Sequence, residues 1–240
     1  MMILRTYPAG FGCASLSPFC VKAMHFLNAC GEDWRPDVLT DPRRAPKGKF
    51  PVLVDDDDII PDSCAIRTHL QHKTGTDFDA GLSDRDRALA HAMARMAEEH
   101  LYFAVVRDRW LNDAHWIHVK ATYFDAIPAI VRGFVTRGIR KGVVRDLDGQ
   151  GLGRLTEDEL CDRVAVDLNA IRGSLRGPYM MGAHASSADY SVGPMLSALA
   201  ASPGQSKLKS LIVEDGVLMD YAHRVAELVA PTADAVAAAA

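Results

Sequence analysis

No stretch of this chain is apolar for the roughly 20 residues that a bilayer-spanning helix needs, which argues against an integral membrane helix. The N-terminus, MMILRTYPAGFG, lacks the basic-then-apolar order of a secretory leader. Cysteine is scarce: five residues, an odd number without regular spacing, argue against a disulfide scaffold and fit a reducing compartment. The expected address is therefore the cytoplasm. There is no excess of basic charge, and a formal net charge of -4 gives nucleic acid or an acidic membrane no reason to bind. Histidines form two i, i+3 pairs, His69/His72 and His115/His118, but no third ligand accompanies either, so surface histidines rather than a metal site are expected. What remains, 48% hydrophobic and 24% charged over 240 residues, suits a soluble globule with a sizeable core.

One further absence is local. The stretch SLSPFCVKAMHFL, residues 15–27, has the outline of a C-P-x-C redox motif with Ser17 where the first cysteine would stand. Without that cysteine no intramolecular disulfide closes here, which argues against a dithiol oxidoreductase. Ser17 is instead a good helix N-cap, with Pro18 in the first-turn position where a missing N–H costs nothing. Gly31 supplies the stop.

The first 75 residues alternate strand and helix signals. MILRTYP is a short strand ended by Pro8, AGFGCASLS a flexible Gly/Ser-rich loop, and EDWRPDVL a weak second strand. Residues 50–54 and 59–60 read as two short strands joined by Asp55-Asp56-Asp57-Asp58. Four adjacent acids lack the alternation and glycine of a calcium loop, so they read as a solvated hairpin tip. Asp62-Ser63 then caps a helix carrying Ile66 and Leu70. From Ser83 onward only helical patterns appear. Ser83/Asp86, Thr156/Glu159 and Ser186/Asp189 mark helix starts, and Leu89, Met93, Met96, Leu101 and Val105 form one long stripe. A helix is expected over 113–125, another from Pro128, and a last one in VLMDYAHRVAELV. The basic residues Arg132, Arg137, Arg140, Lys141 and Arg145 scatter around their helix as solvated charge. Four segments follow: a thioredoxin-like α/β unit over 1–75, a linker over 76–82, an all-α unit over 83–230 and a frayed tail over 231–240.

Three local patterns give this order a family. KGKFPVLV resembles the segment where a cis-proline, here Pro51, precedes the third strand. PDSCAIRTHL resembles the acid-Ser helix start that holds the γ-glutamyl end of glutathione. MGAHASSADYSVG resembles the G-x-x-x-S/T-x-x-D signature of the helical domain. Together they resemble the cytosolic glutathione transferase superfamily over roughly residues 3–229. LSPFCVKAMHFL, EEHLYF and GQGLGRLTEDEL look most like its failed-axon-connections/metaxin-like bacterial transferase branch.

That resemblance implies glutathione as cosubstrate, a homodimer and a detoxifying conjugation of a small hydrophobic electrophile. The chemistry requires an ionised thiol. Bringing a thiol from a pKa of ~8.5 to ~7 takes about 2 kcal/mol. A helix N-terminus contributes ~0.3–1 kcal/mol and a hydrogen bond to the anion ~1.5–3 kcal/mol. Ser17 is placed to supply both. Tyr7, at the end of the first strand, is the rival, and Cys20 is a third candidate if its thiol is exposed. Otherwise Cys20 is an inert core residue. Phe50 and Pro51 would present backbone groups to the tripeptide's cysteine. Asp62 and Ser63 would take its γ-glutamyl end, and Lys49 or Lys47 its glycyl carboxylate. Tyr102, Phe103, Arg107 and Trp110 are expected to line the electrophile site. Two alternatives stand beside this reading: a non-catalytic interaction module, and a glutathione-dependent reductase acting through Cys20.

Overall fold

Burial alternates along Met2–Thr6, with Met2, Leu4 and Thr6 inward, and this two-residue period makes β1. The computed structural model describes residues 1–229; the expected tail over 231–240 lies outside the described residues. Strand β2 (Trp34–Val38) runs parallel to β1, so helix α1 (Pro18–Cys30) must cross between them. Strands β3 (Val52–Asp55) and β4 (Asp58–Pro61) add antiparallel on the other side, giving the order β2-β1-β3-β4. Helix α2 (Ser63–Thr74) follows. Leu4, Phe26, Leu27, Leu53, Ile66 and Leu70 form the core between sheet and helices. This is the thioredoxin-like unit that the strand and helix signals implied.

The acidic tip is less solvated than expected. Asp55 is buried, accepting from Lys73 Nζ at 2.6 Å and meeting His69 Nε2 at 2.7 Å, so it staples β3 to α2. Those pairs hold its carboxyl below the usual range against the opposing cost of burial. Asp56 alone takes a left-handed turn, at φ 51°.

The α-helices that follow among the described residues are α3 (Asp84–Met96), α4 (Tyr102–Leu111), α5 (Asp113–Tyr123), α6 (Ala129–Gln150), α7 (Glu157–Ser174), α8 (Ser187–Ala200), α9 (Lys207–Val213) and α10 (Gly216–Ala226). Ser83 and Thr156 cap α3 and α7 as expected, and Thr156 and Glu159 close a full capping box. Ser186 and Asp189 form the box at α8, where buried Asp189 also accepts from Met180 N and Tyr221 Oη, at 2.8 and 2.9 Å. Helix α8 is the buried centre of the unit. Its Gly193 lets α10 approach, since a Cβ there would stand 2.7 Å from Val225 Cβ. The long stripe from Ser83 is broken by a π-helical turn over Ala97–Leu101. Helix α9 escapes sequence reading because only Leu208 and Ile212 of its seven residues are buried.

The two units meet along α1. Lys22 and Glu98, each 3% exposed, pair across this seam, and Arg95 takes the second carboxylate oxygen of Glu98. His25 stacks on Tyr190 of α8 at 5.3 Å. The segment over 76–82, expected as a plain linker, is pinned to the seam. Phe78 is buried against Phe26 (4.7 Å), and Asp79 accepts from Ser187 N (3.0 Å), Ser187 Oγ (2.9 Å) and Arg67 Nη2 (2.7 Å).

Candidate active site

Ser17 has extended backbone angles, φ -108° and ψ 120°, and stands at the N-cap of α1 with Pro18 beside it. Its side chain makes no capping bond. The side chain is half-buried and reaches the Cys20 thiol one turn along, at a helix end whose dipole favours an anion.

The loop before it carries backbone hydrogen bonds of its own. Gly10 and Cys13 exchange backbone hydrogen bonds of 3.1 and 3.0 Å, and Leu16 N donates to Pro8 O at 2.8 Å. Phe11 and Gly12, at φ 52° and 79°, form the turn. A left-handed phenylalanine is uncommon. The turn holds Phe11 6.0 Å from the Tyr123 ring, where Arg109 covers its face at 5.5 Å.

Cys20 lies one turn into α1 and is fully buried. Burial pushes its thiol up, and the surrounding Thr6, Ser17 and Ser15 hydroxyls with the Tyr7 backbone only counter that rise. This is the environment of the inert alternative. Tyr7 packs edge-on against Phe50 at 5.1 Å. Burial, then the nearby Cys20, Tyr102 and Tyr123, pushes its phenol well above its ordinary value. Tyr7 is therefore a neutral hydroxyl at physiological pH.

The Phe50–Pro51 bond is cis, as the KGKFPVLV pattern implied. Pro51 O accepts from Asp62 N at 3.1 Å, which fastens this loop to the start of α2. Asp62 caps α2 through Cys64 N (2.8 Å) and Ala65 N (3.3 Å), and its φ of 88° is strained for a residue with a Cβ. Ser63 is buried in the first turn. Lys47 and Lys49 are exposed and have no hydrogen-bond partner among the described residues.

The expected electrophile residues separate. Tyr102 meets Phe19 of α1 edge-on at 4.8 Å, and Phe103 follows it at 5.3 Å. Burial raises the Tyr102 phenol to about 12. Arg107 does not join them; its Nη2 donates to Leu155 O at 2.6 Å, tying α4 to the loop before α7. Five residues turn a helix by about 140°, which carries residue 107 off the Tyr102 face. Trp110 belongs to a cluster with Trp116 (5.2 Å) and Tyr123 (6.1 Å).

Arg109 shares the Tyr102 face that Arg107 leaves. Seven residues after Tyr102, it returns to within about 20° of the same face. It is 4% exposed and donates to Tyr123 Oη (3.0 Å), Ala198 O (2.6 Å) and Ser202 Oγ (3.4 Å). The i, i+7 spacing from Tyr102 was the only sequence signal for it. Phe11, Phe19 and Tyr123 had none. Among the described residues, no cluster of three side chains suits a metal.

A thioredoxin-like unit with an open hydroxyl at the first helix end, a cis-proline and a strained helix start, joined to a helical unit, defines a glutathione-handling class of fold. A profile of the glutathione S-transferase N-terminal domain matches residues 18–115. The chain is 32% identical over 239 residues to the isoprene-epoxide–glutathione S-transferase of Rhodococcus sp. (strain AD45), covering 94% of this chain and 98% of that protein. Its fold is similar to glutathione transferase GSTFuA2 from Phanerochaete chrysosporium, with TM-score 0.66, 15% identity, and 95% and 98% of the two chains covered. It is also similar to the CsGST63524 transferase of Ceriporiopsis subvermispora in complex with glutathione, with TM-score 0.58, 18% identity, and 95% and 96% covered. The chain belongs to the glutathione S-transferase family.

Proposed function

We propose that this protein adds the thiolate of glutathione to a small hydrophobic electrophile, and that an epoxide is the first class to test. The observation that carries this reading is the Ser17 hydroxyl, which makes no capping bond to the backbone and stands at an N-terminus that favours anions. Ser17 donates to the bound sulfur and keeps it ionised. Phe50, beside the cis-proline, presents its backbone to the cysteinyl part. Asp62 takes the γ-glutamyl amine, Ser63 and the α2 N-terminus its carboxylate, and Lys49 or Lys47 the glycyl end. Tyr7 contributes a neutral hydroxyl and packing. Cys20, buried with a raised pKa, supports the site from beneath. Tyr102, Phe103 and Trp110 belong to the apolar side.

The epoxide suggestion draws on the Rhodococcus relative's name. The finer placement in the failed-axon-connections/metaxin-like branch draws on the sequence motifs. A cytoplasmic homodimer with a detoxifying role, and boundaries at 75 and 83 between the two domains, are part of the same reading. No helix among the described residues is long and apolar enough to cross a membrane.

Titration calorimetry with glutathione, followed by turnover of 1-chloro-2,4-dinitrobenzene and of a small epoxide, tests the proposal. Heat of binding and turnover of at least one electrophile are expected. Absence of glutathione binding would remove the catalytic reading and leave the architecture.

A further inference from the structure

The formal net charge of -4 argues against an acidic membrane as partner of the chain as a whole, but charge is spread unevenly along it. Between residues 126 and 145 stand Arg132, Arg137, Arg140, Lys141 and Arg145, with no aspartate or glutamate among them. Most of this stretch is helix α6. The same helix exposes Ile130, Val131, Phe134, Val135, Ile139 and Val144, six of the fourteen large apolar residues exposed among the described residues. Scattered singly, exposed apolar side chains need no explanation; gathered on one helix they mark a contact surface.

A turn of about 100° per residue puts Ile130, Phe134, Arg137 and Lys141 on one stripe some 60° wide, with Val131 and Val135 beside it. The buried residues of α6, Thr136 and Leu147, lie on another side. Three of the five cations are engaged elsewhere. Arg132 donates to Ile127 O at 2.9 Å and Asp125 O at 2.7 Å, and Arg140 to Trp110 O and the Asp113 carboxylate, both at 2.7 Å. Arg145 pairs with Asp146 at 2.8 Å. Arg137 and Lys141 are exposed and meet no hydrogen-bond partner among the described residues.

Shape and charge together say what covers this face. Ile130 is 97% exposed and Phe134 85%, so both stand proud of the surface instead of lining a groove. A projecting apolar tip, with free cations one and two turns further along, suits a soft anionic surface. The apolar side chains enter at the acyl boundary while the long cationic ones reach the headgroups. A second copy of the chain suits it less. A two-fold contact across the stripe brings Arg137 and Lys141 toward their own counterparts, with no carboxylate in the stretch to separate them.

We propose that the outer face of α6 docks this protein peripherally on an anionic lipid surface, with Ile130 and Phe134 inserted and Arg137 and Lys141 against lipid phosphates. Arg140 bonds α6 to the Trp110 and Leu111 carbonyls of α4, so docking holds α4 beside the phase in which apolar electrophiles dissolve. The docking itself does not depend on the transferase reading.

The test is co-sedimentation of the full chain with vesicles of phosphatidylcholine alone and of phosphatidylcholine mixed with phosphatidylglycerol, at low and at physiological salt. Binding to the mixed vesicles is expected, weaker in salt and weaker on phosphatidylcholine alone. Each cation at an anionic surface contributes about fivefold, so Arg137→Gln with Lys141→Gln is expected to lower partition onto the mixed vesicles about 30-fold. Phe134→Ser is expected to lower it about tenfold. Both changes lie at exposed positions, and thermal unfolding checks that each variant folds. Absence of binding to the mixed vesicles overturns the proposal, and so does binding that the double variant leaves unchanged. Sedimentation equilibrium examines the other occupant: self-association of the wild type that Phe134→Ser abolishes makes this face a contact between copies and overturns the lipid reading. Vesicle binding by a protein that takes up no glutathione upholds this inference while removing the transferase reading.

Discussion

Two cations lie buried where the helical unit meets the sheet unit, and they are satisfied in opposite ways. Lys22, in the body of α1, faces the carboxylate of Glu98, which Arg95 also holds. Arg109, over the Phe11 ring in the loop before α1, faces a phenol, a hydroxyl and a carbonyl. The Lys22 region is a closed seam: His25 stacks on Tyr190, Phe26 packs on Phe78, and Asp79 clamps the start of α8. Around Arg109 stand aromatic rings and hydroxyls with spare donors. Lys22 meets its carboxylate directly, whereas Arg109 spends its hydrogen bonds on neutral oxygens with buried Asp108 beside it. The same interface thus pairs charge with charge at one end and charge with neutral oxygens at the other.

The contrast can be broken at the seam first. Glu98→Ala leaves Lys22 buried without its partner and is expected to destabilise the protein by about 3–5 kcal/mol. Urea unfolding measures this, and a loss below about 1 kcal/mol would mean that the seam does not depend on the pair. At the open end, Ser17→Ala removes one hydrogen bond to the thiolate. A loss of about 2 kcal/mol, or roughly 30-fold in kcat/KM, is expected with the epoxide and the aryl halide alike. Unchanged rates would dismiss Ser17 and return attention to Tyr7.

His25 sharpens the seam through pH. Burial lowers its pKa from 6.5 to about 3, and neither ring nitrogen has a hydrogen-bond partner among the described residues. The unfolded chain takes up this proton as pH falls through 6.5, whereas the folded protein refuses it until about 3. Stability from the neutral ring is thus complete above pH 6.5 and declines as the solution is acidified toward 3. By pH 5 the decline is about 2 kcal/mol. In His25→Leu this part of the acid slope should vanish, and identical slopes in the two proteins would count against the assignment. The smallest effect is expected at the glutathione end. Ser63→Ala should cost about 1 kcal/mol, seen as a roughly fivefold rise in the KM for glutathione with kcat retained. A fall in kcat alone would move Ser63 out of the binding role.

The local features on which the proposed glutathione side rests were the more legible half. Ser17, Pro51 and Asp62-Ser63 are set by chain-local chemistry: a capping residue before a proline, an X-Pro bond and an acid-Ser helix start. The three helix caps at Ser83, Thr156 and Ser186 were legible for the same reason, since each depends on partners three residues away. The surroundings of Tyr102 and Arg109 were not. Arg107 and Arg109 look alike in sequence, and only the rotation of α4 separates them. Tyr123 becomes significant through a residue 14 positions earlier and through a turn that places Phe11 against it. The linker over 76–82 reads as polar and loose, yet Asp79 finds Ser187 more than 100 residues on.

Residue order alone settled the strand and helix sequence, the starts of the principal helices and the missing partner of Cys20, because these rest on interactions within a turn or two of chain. Folding in three dimensions settled which thiol is buried, which cation meets a carboxylate directly and which phenol accepts from an arginine. Burial and pairing are sums over neighbours from distant parts of the chain, and no local pattern contains them.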